Sequence, residues 1–256
     1  MQNLYPLFER NRVLKKELLW ALRDCSFGHL QVEYADYGDG ILKGCGIRVE
    51  GKHLVISPGI LRYQGFICIM KEEERLEYTV TEQPVSLKLC FETDRRSLDY
   101  ILYRMTPVLD SDQVCKENEF EVCRFCLQEG AELRDVHTCF EDMGTEYNTL
   151  QYMHAAWGCP GGRSMAPAMT MQFARELLKT PACGTEDTVF AWLCLEHRGA
   201  MPKEILTDYV GRKSGRRMEG ASNQELFREM CRILGHMQHG EGRRQERIGR
   251  RQILVD

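Results

Sequence analysis

Residues 39–70, DGILKGCGIRVEGKHLVISPGILRYQGFICIM, alternate apolar and polar positions and separate the runs with glycines. A period of two sends successive side chains to opposite faces, which commits this stretch to antiparallel strands with one face buried. Ile47 and Val49 point one way, Glu50-Gly51-Lys52 turns the chain, and Leu54 and Ile56 return. Pro58-Gly59 fits a type II turn, in which proline presets the first central residue and glycine accepts positive φ at the second. Leu61 and Tyr63 begin the next strand, Gln64-Gly65 turns it, and Phe66, Cys68 and Met70 run back. Asp39, Gly40, Gly44, Pro58, Gly59 and Gly65 are the turn-forming residues of this meander, and Asp36 and Asp39 serve as side chains that hydrogen-bond a Gly-rich turn.

Around this centre the pattern changes twice. Leu14, Leu18 and Leu22 recur every four residues, with Ala21 and Cys25 on the same side, which predicts a helix over 7–24. This helix either covers the sheet or serves in oligomerisation or docking. Leu30–Tyr34 reads as a short strand, and Lys71–Glu77 as a charged break. Val85, Leu87, Leu89 and Phe91 alternate with Ser86, Lys88, Cys90 and Glu92 in a half-buried strand. YILYRM at 100–105 is apolar on both faces and reads as central, and FEVCRFCL at 120–127 is the last strong strand. About eight short strands with regular turns point to a β-sandwich or open barrel. From 151 onward the chain reads as short helices. Pro167 opens one carrying Met169, Phe173 and Leu177, Thr185 caps a second, and Pro202 opens a third. Ser222 and Glu225 make a capping box for the last, with Gly235 as its stop. The expected architecture is α+β: residues 1–150 form a helix plus antiparallel β-sandwich or open barrel, and residues 151–256 a small all-α domain with a basic tail. Charge follows the same division. Residues 151–256 hold 16 Lys+Arg and 12 Asp+Glu, a balance of +4, which leaves −8 for the first 150 residues of a chain whose net charge is −4.

Motifs that would carry chemistry are weak. Cys123 and Cys126 form a C-x-x-C, followed by His137 and Cys139, a set that could supply tetrahedral zinc. In a strand, however, residues three apart face opposite sides, so buried free cysteines are the simpler reading. Gly211-Arg212-Lys213-Ser214-Gly215 departs from a phosphate-binding loop, because arginine stands where lysine belongs and no glycine stands five residues earlier. No G-x-S-x-G and no H-E-x-x-H occurs. Arg212, Lys213, Arg216 and Arg217 form one basic cluster, and Arg243, Arg244, Arg247, Arg250 and Arg251 a second. Both could contact phosphates, but no aromatic residues interleave the tail for base stacking, so a disordered solvated terminus or a partner-binding arm is the simpler reading. The expectation is a non-enzymatic chain without a cofactor.

The twelve cysteines are scattered through strand-like and helix-like segments, as small buried apolar residues would be. The N-terminus lacks the basic start and apolar core of a signal peptide, and no apolar run reaches membrane-spanning length. A reducing compartment with free thiols, and no membrane association, is therefore expected.

The 39–70 stretch resembles the β-rich module of tail-tip, baseplate and tail-fibre attachment proteins of bacteriophages. There a DG-x-x-x-G step leads into an apolar strand, PG, a second strand and a further glycine turn. Asp39, Gly40 and Gly44 match the first step, and Pro58, Gly59 and Gly65 the second. ENEFEVCRFCLQEGAELRD looks like the module's closing strand with its acidic turn. The chain is also similar to a prophage family of Gram-positive bacteria often labelled a DNA and RNA helicase, a label that the missing phosphate loop does not support. The resemblance covers residues 5–145. It implies a structural or adaptor protein that assembles with other tail or baseplate proteins or with itself, in the bacterial cytoplasm first and then in a virion or phage-tail-like particle. The alternatives are a nucleic-acid-associated accessory protein using the arginine clusters, and a zinc-binding protein.

Overall fold

The computed structural model describes residues 13, 15–81, 83–97, 99–197 and 199–249. Helix α1 (Lys16–Glu33) is followed by β1 (Gly40–Gly44), β2 (Ile47–Glu50), β3 (His53–Ile56), β4 (Gly59–Tyr63), β5 (Phe66–Met70), β6 (Glu74–Glu77), β7 (Val85–Asp94), β8 (Leu102–Asp110) and β9 (Glu119–Phe125). A 3-10 turn at Glu141–Gly144 precedes the short hairpin of β10 (Trp157–Cys159) and β11 (Gly162–Ser164). The chain then continues through α2 (Pro167–Lys179), α3 (Thr185–Glu196), α4 (Lys203–Ser214) and α5 (Asn223–Gly249). The class is α+β, and among the described residues the sheets stay open: β11-β10-β1-β4-β5, β2-β3-β6 and β8-β7-β9.

The glycine-marked centre forms one long bent hairpin. β1 pairs with β4 and β2 with β3, and the register runs from Gly40 opposite Arg62 to Glu50 opposite His53. The bend falls where both arms cross from one sheet to the next. Gly44 (φ +74°) and Cys45 (φ +53°) turn there, and the amide of Cys45 donates to Pro58 O at 3.2 Å. A β-carbon on Gly44 would stand 2.2 Å from Pro58 O, and one on Gly59 would stand 2.3 Å from Cys45 Sγ. Pro58-Gly59 is therefore not the expected type II turn. Gly59 has no positive φ, and its glycine is required by close approach of the facing arm. The type II pattern appears instead at Pro160-Gly161 (φ +80°), between β10 and β11. At Gln64-Gly65 both central residues have positive φ, as a type I′ hairpin turn demands.

Two apolar cores result. The first gathers Ile41, Ile47, Leu54, Ile56, Leu61, Leu87, Leu89, Phe120, Cys123 and Phe125 from all three sheets. The second gathers Phe140, Met169, Phe173, Leu177, Phe190, Leu206, Tyr209, Leu226 and Met230, chiefly from the helices, and Tyr152 and Trp157 pack against both. β10 and β11 lie within the 151–256 half of the sequence, yet they extend the five-stranded sheet, because β10 pairs in parallel with β1 (Ile41 opposite Trp157).

Several expectations are corrected. Leu30–Glu33 belongs to α1 rather than to a strand, and α1 buries no residue completely. Leu14, at the start of the expected helical stripe, lies outside the described residues. Residues 74–77 of the charged break form an edge strand on β3. β8 is an edge, not a central strand. Thr185 follows the cap position, which Gly184 occupies, and the Asp187 carboxylate accepts the Gly184 amide at 3.0 Å. The Ser222–Glu225 box forms as expected, but Gly235 does not stop α5: it has no positive φ, and glycine inside a helix costs only intrinsic propensity.

Lys88 is the largest departure. Alternation puts it on a wet face, yet it is 1% exposed, because the 111–118 loop folds over that face of β7. Its ammonium donates to Asp110 Oδ2 (2.8 Å), Val114 O (2.9 Å) and Glu119 Oε2 (3.2 Å), so every N–H has an acceptor. Burial opposes the charge, but the bonds to Asp110 and Glu119 outweigh it and raise the pKa to about 12.

Candidate docking groove

The residues singled out in the sequence do not converge on one site. Asp39 lies at the mouth of the central hairpin. Its carboxylate accepts the Gln64 and Gly65 amides (2.7 and 3.3 Å) and Arg62 (2.9 Å), clamping the β4–β5 turn instead of its own backbone. Gly40 passes under Ala156 O, where a β-carbon would come within 2.5 Å. Cys123 is fully buried beneath β7, and Cys126 is buried with its thiol toward Thr81 O. His137 Nε2 stands 2.8 Å from Leu150 O, and Cys139 is half-buried. Burial pushes the Cys123 thiol well above its ordinary value, which disfavours the thiolate that a metal ligand requires. Among the described residues no three His, Cys, Asp or Glu side chains are grouped to hold a metal ion.

The first basic cluster is matched by acids. Arg212 pairs with Asp208 (2.9 Å), Lys213 with Asp187 (2.7 Å), Arg216 with Glu229 (2.7 Å) and Arg217 with Glu219 (2.6 Å). Asp187 is buried. Burial works against its charge, but Lys213, the Gly184 amide and the Tyr209 hydroxyl together hold its pKa below the ordinary value. Arg243, Arg244 and Arg247 fall within the backbone span of α5, and Arg250 and Arg251 lie outside the described residues.

Among the described residues a groove of about 1440 Å³ lies between α1, β5 and β8. Phe66 of β5 stacks on Tyr103 of β8 at 4.1 Å between centroids, and Phe27 of α1 lies 6.1 Å from Phe66. Ile69, Tyr100, Ile101 and Leu102 line the groove and remain 51%, 63%, 49% and 38% exposed. Arg23, Asp24, Lys71, Glu72, Asp99 and Arg104 also line it, adding charges of both signs. β5 and β8 both end their sheets, so each has an outer row of backbone N–H and C=O groups without a strand partner among the described residues. Two strand edges beside exposed apolar side chains can accept an added strand, with main-chain bonds for affinity and side-chain contacts for selectivity. The sequence signal was YILYRM. Its apolarity on both faces belongs to an exposed sheet edge rather than to a position inside a sheet.

These features define an α+β chain with an exposed apolar groove beside two strand edges. No protein-family model matches the sequence, and no curated protein matches it. Among solved structures the chain is similar to a chain of the type VI secretion system TssK–TssF–TssG baseplate subcomplex. That alignment has a TM-score of 0.42 and 11% identity and covers 93% of this chain and 100% of the other. It is also similar to TssK in a crystal structure, with a TM-score of 0.33 and 11% identity over 93% of this chain and 69% of that one. No helix among the described residues is long and apolar enough to cross a membrane.

Proposed function

We propose that this protein is a non-enzymatic structural adaptor of a phage tail, baseplate or phage-tail-like particle. The observation that carries the reading is the groove, where the exposed Ile69, Tyr100, Ile101 and Leu102 lie beside two strand edges. Exposed apolar surface gathered in one place costs solubility and is retained where a partner covers it. The occupant is an extended segment of a neighbouring particle protein that pairs with β8 and lays its side chains over Phe66, Tyr100 and Leu102. The class of neighbour is supplied by the resemblance of residues 39–70 to tail and baseplate modules.

The test is assembly. Particles purified from cells carrying the gene and its neighbours contain the wild-type chain in fixed proportion. Ile101→Asp with Leu102→Asp, both at exposed positions, leaves the melting temperature of the isolated protein within a few degrees and removes it from the particles. A wild-type chain absent from intact particles, or a double variant incorporated as well as wild type, overturns the proposal.

A further inference from the structure

The side of α1 turned away from the groove carries a second surface. Arg23, Asp24, Phe27, Gly28 and Gln31 are the α1 residues that line the groove, and Phe27 lies against Phe66 of β5. At 100° per residue, Leu18, Ala21, Leu22, Cys25 and Val32 form a stripe about a third of a turn away, interrupted near its end by His29. Leu18 and Ala21 are only half-covered. Leu22 is 48% and Val32 80% exposed, and Cys25 is an exposed free thiol. The stripe runs the length of an 18-residue helix, and none of it is fully buried.

Charge identifies what covers it. Lys15, the N-cap of α1, and Glu33 are 18 residues apart, five whole turns, so their backbone positions lie on the same flank of the stripe at opposite ends. The last turn of α1 carries no basic residue of its own, so Glu33 sits uncompensated at the negative end of the helix dipole, apart from a 3.4 Å contact with His29. When two copies of α1 lie antiparallel, stripe to stripe and centred at the level of residue 24, Lys15 of each copy faces Glu33 of the other. The second helix thus brings a cation to each C-terminal end. In a parallel pair both Lys15 side chains sit at one end, and neither reaches a Glu33. We infer that the stripe pairs with a second copy of this chain as a twofold, antiparallel helix pair. This contact uses a different face from the groove and stands whether or not the chain belongs to a tail particle.

The experiment uses the full chain. Light scattering at tens of micromolar reports twice the 29.7 kDa chain mass. Mild oxidation traps a covalent dimer through Cys25, which the antiparallel register brings beside its own copy, and Cys25→Ser abolishes that product. Lys15→Glu or Glu33→Lys alone replaces two attractive contacts with two repulsive ones and raises the dimer dissociation constant about tenfold. Mixing the two single variants restores wild-type affinity. In the mixed dimer the reversed charge at position 15 of one copy faces the reversed charge at position 33 of the other, and the unchanged Glu33 of the first faces the unchanged Lys15 of the second. All these positions are exposed, so folding is preserved, and unchanged circular dichroism checks that. A wild-type monomer, a dimer indifferent to the charge reversals, or a mixture no tighter than its components overturns the inference.

Discussion

At the scale of single residues, stability rests on a few carboxylates placed where several donors meet. Asp142 accepts two bonds from Arg134 (2.9 and 3.1 Å), the amide and hydroxyl of Thr138, and the hydroxyl of Thr145, which ties residues 134–145 into one knot. The Arg134 guanidinium, followed by the Thr138 amide, holds its pKa well below the ordinary 3.8. A carboxyl depressed in the folded state adds stability that is complete above its unfolded pKa and is lost as pH falls through the folded one. Asp110, lowered chiefly by Lys88, behaves in the same way. The wild-type protein is therefore at full strength above about pH 5 and weakens progressively below about pH 4. Asp142→Asn is expected to cost about 2–3 kcal/mol at neutral pH. It should also flatten the acid limb, which urea titrations at a series of pH values would measure. None of this was legible in the sequence. The acids of Arg134–Asp142 and of Lys88–Glu119 sit 8 and 31 residues from their bases, and nothing in local patterning shows which pairs meet. Leu87, Leu89 and Phe91 were read correctly as core because alternation reports one face. It could not report that a loop would bury the other, with Lys88 in it.

At the scale of elements, the glycines of the central hairpin were found but their roles were not all assigned correctly. A type I′ turn at Gln64-Gly65 follows from local dihedral preference and is visible in two letters. The bend at Gly44 and Gly59 depends on two segments passing within contact distance, which no single segment encodes. Gly44→Ala would add left-handed strain and push a methyl group into Pro58 O. A loss of about 3 kcal/mol or more is expected. Gly51→Ala, also at positive φ but with open space around it, should cost about 1 kcal/mol. Thermal melts of the two variants side by side separate crowding from strain, and equal losses would refute the account of the bend. Helix α5 ran past its expected stop for the converse reason: a glycine ends a helix only when the backbone around it turns left-handed, as at Gly215 (φ +67°), which closes α4.

For the whole molecule, composition and charge divide the chain near residue 150, and that division is open to direct trial. The hairpin 157–164 supplies β10 to the edge of β1, and Trp157 and Tyr152 pack against both cores. A fragment ending at 150 would leave β1 without that neighbour, expose Ile41 and deprive the Ile41 amide of its acceptor, Ala156 O. A fragment ending at 165 keeps them. The shorter fragment is expected to aggregate or to melt about 5 °C or more below the longer, by the usual scaling of stability with melting temperature (about 1 kcal/mol or more). Equal behaviour of the two would place the working boundary at 150.

The parallel pairing of Ile41 with Trp157 also has a consequence for biosynthesis. Translation delivers β1 long before its neighbour. At about 5–20 residues per second, the intervening stretch takes roughly 6 to 23 s to appear. Throughout that interval the nascent polypeptide carries an unzipped seam within its oldest sheet. Ribosome-associated chaperones have most to shield there, and crowding of polysomes is most apt to stitch one unfinished chain onto the next.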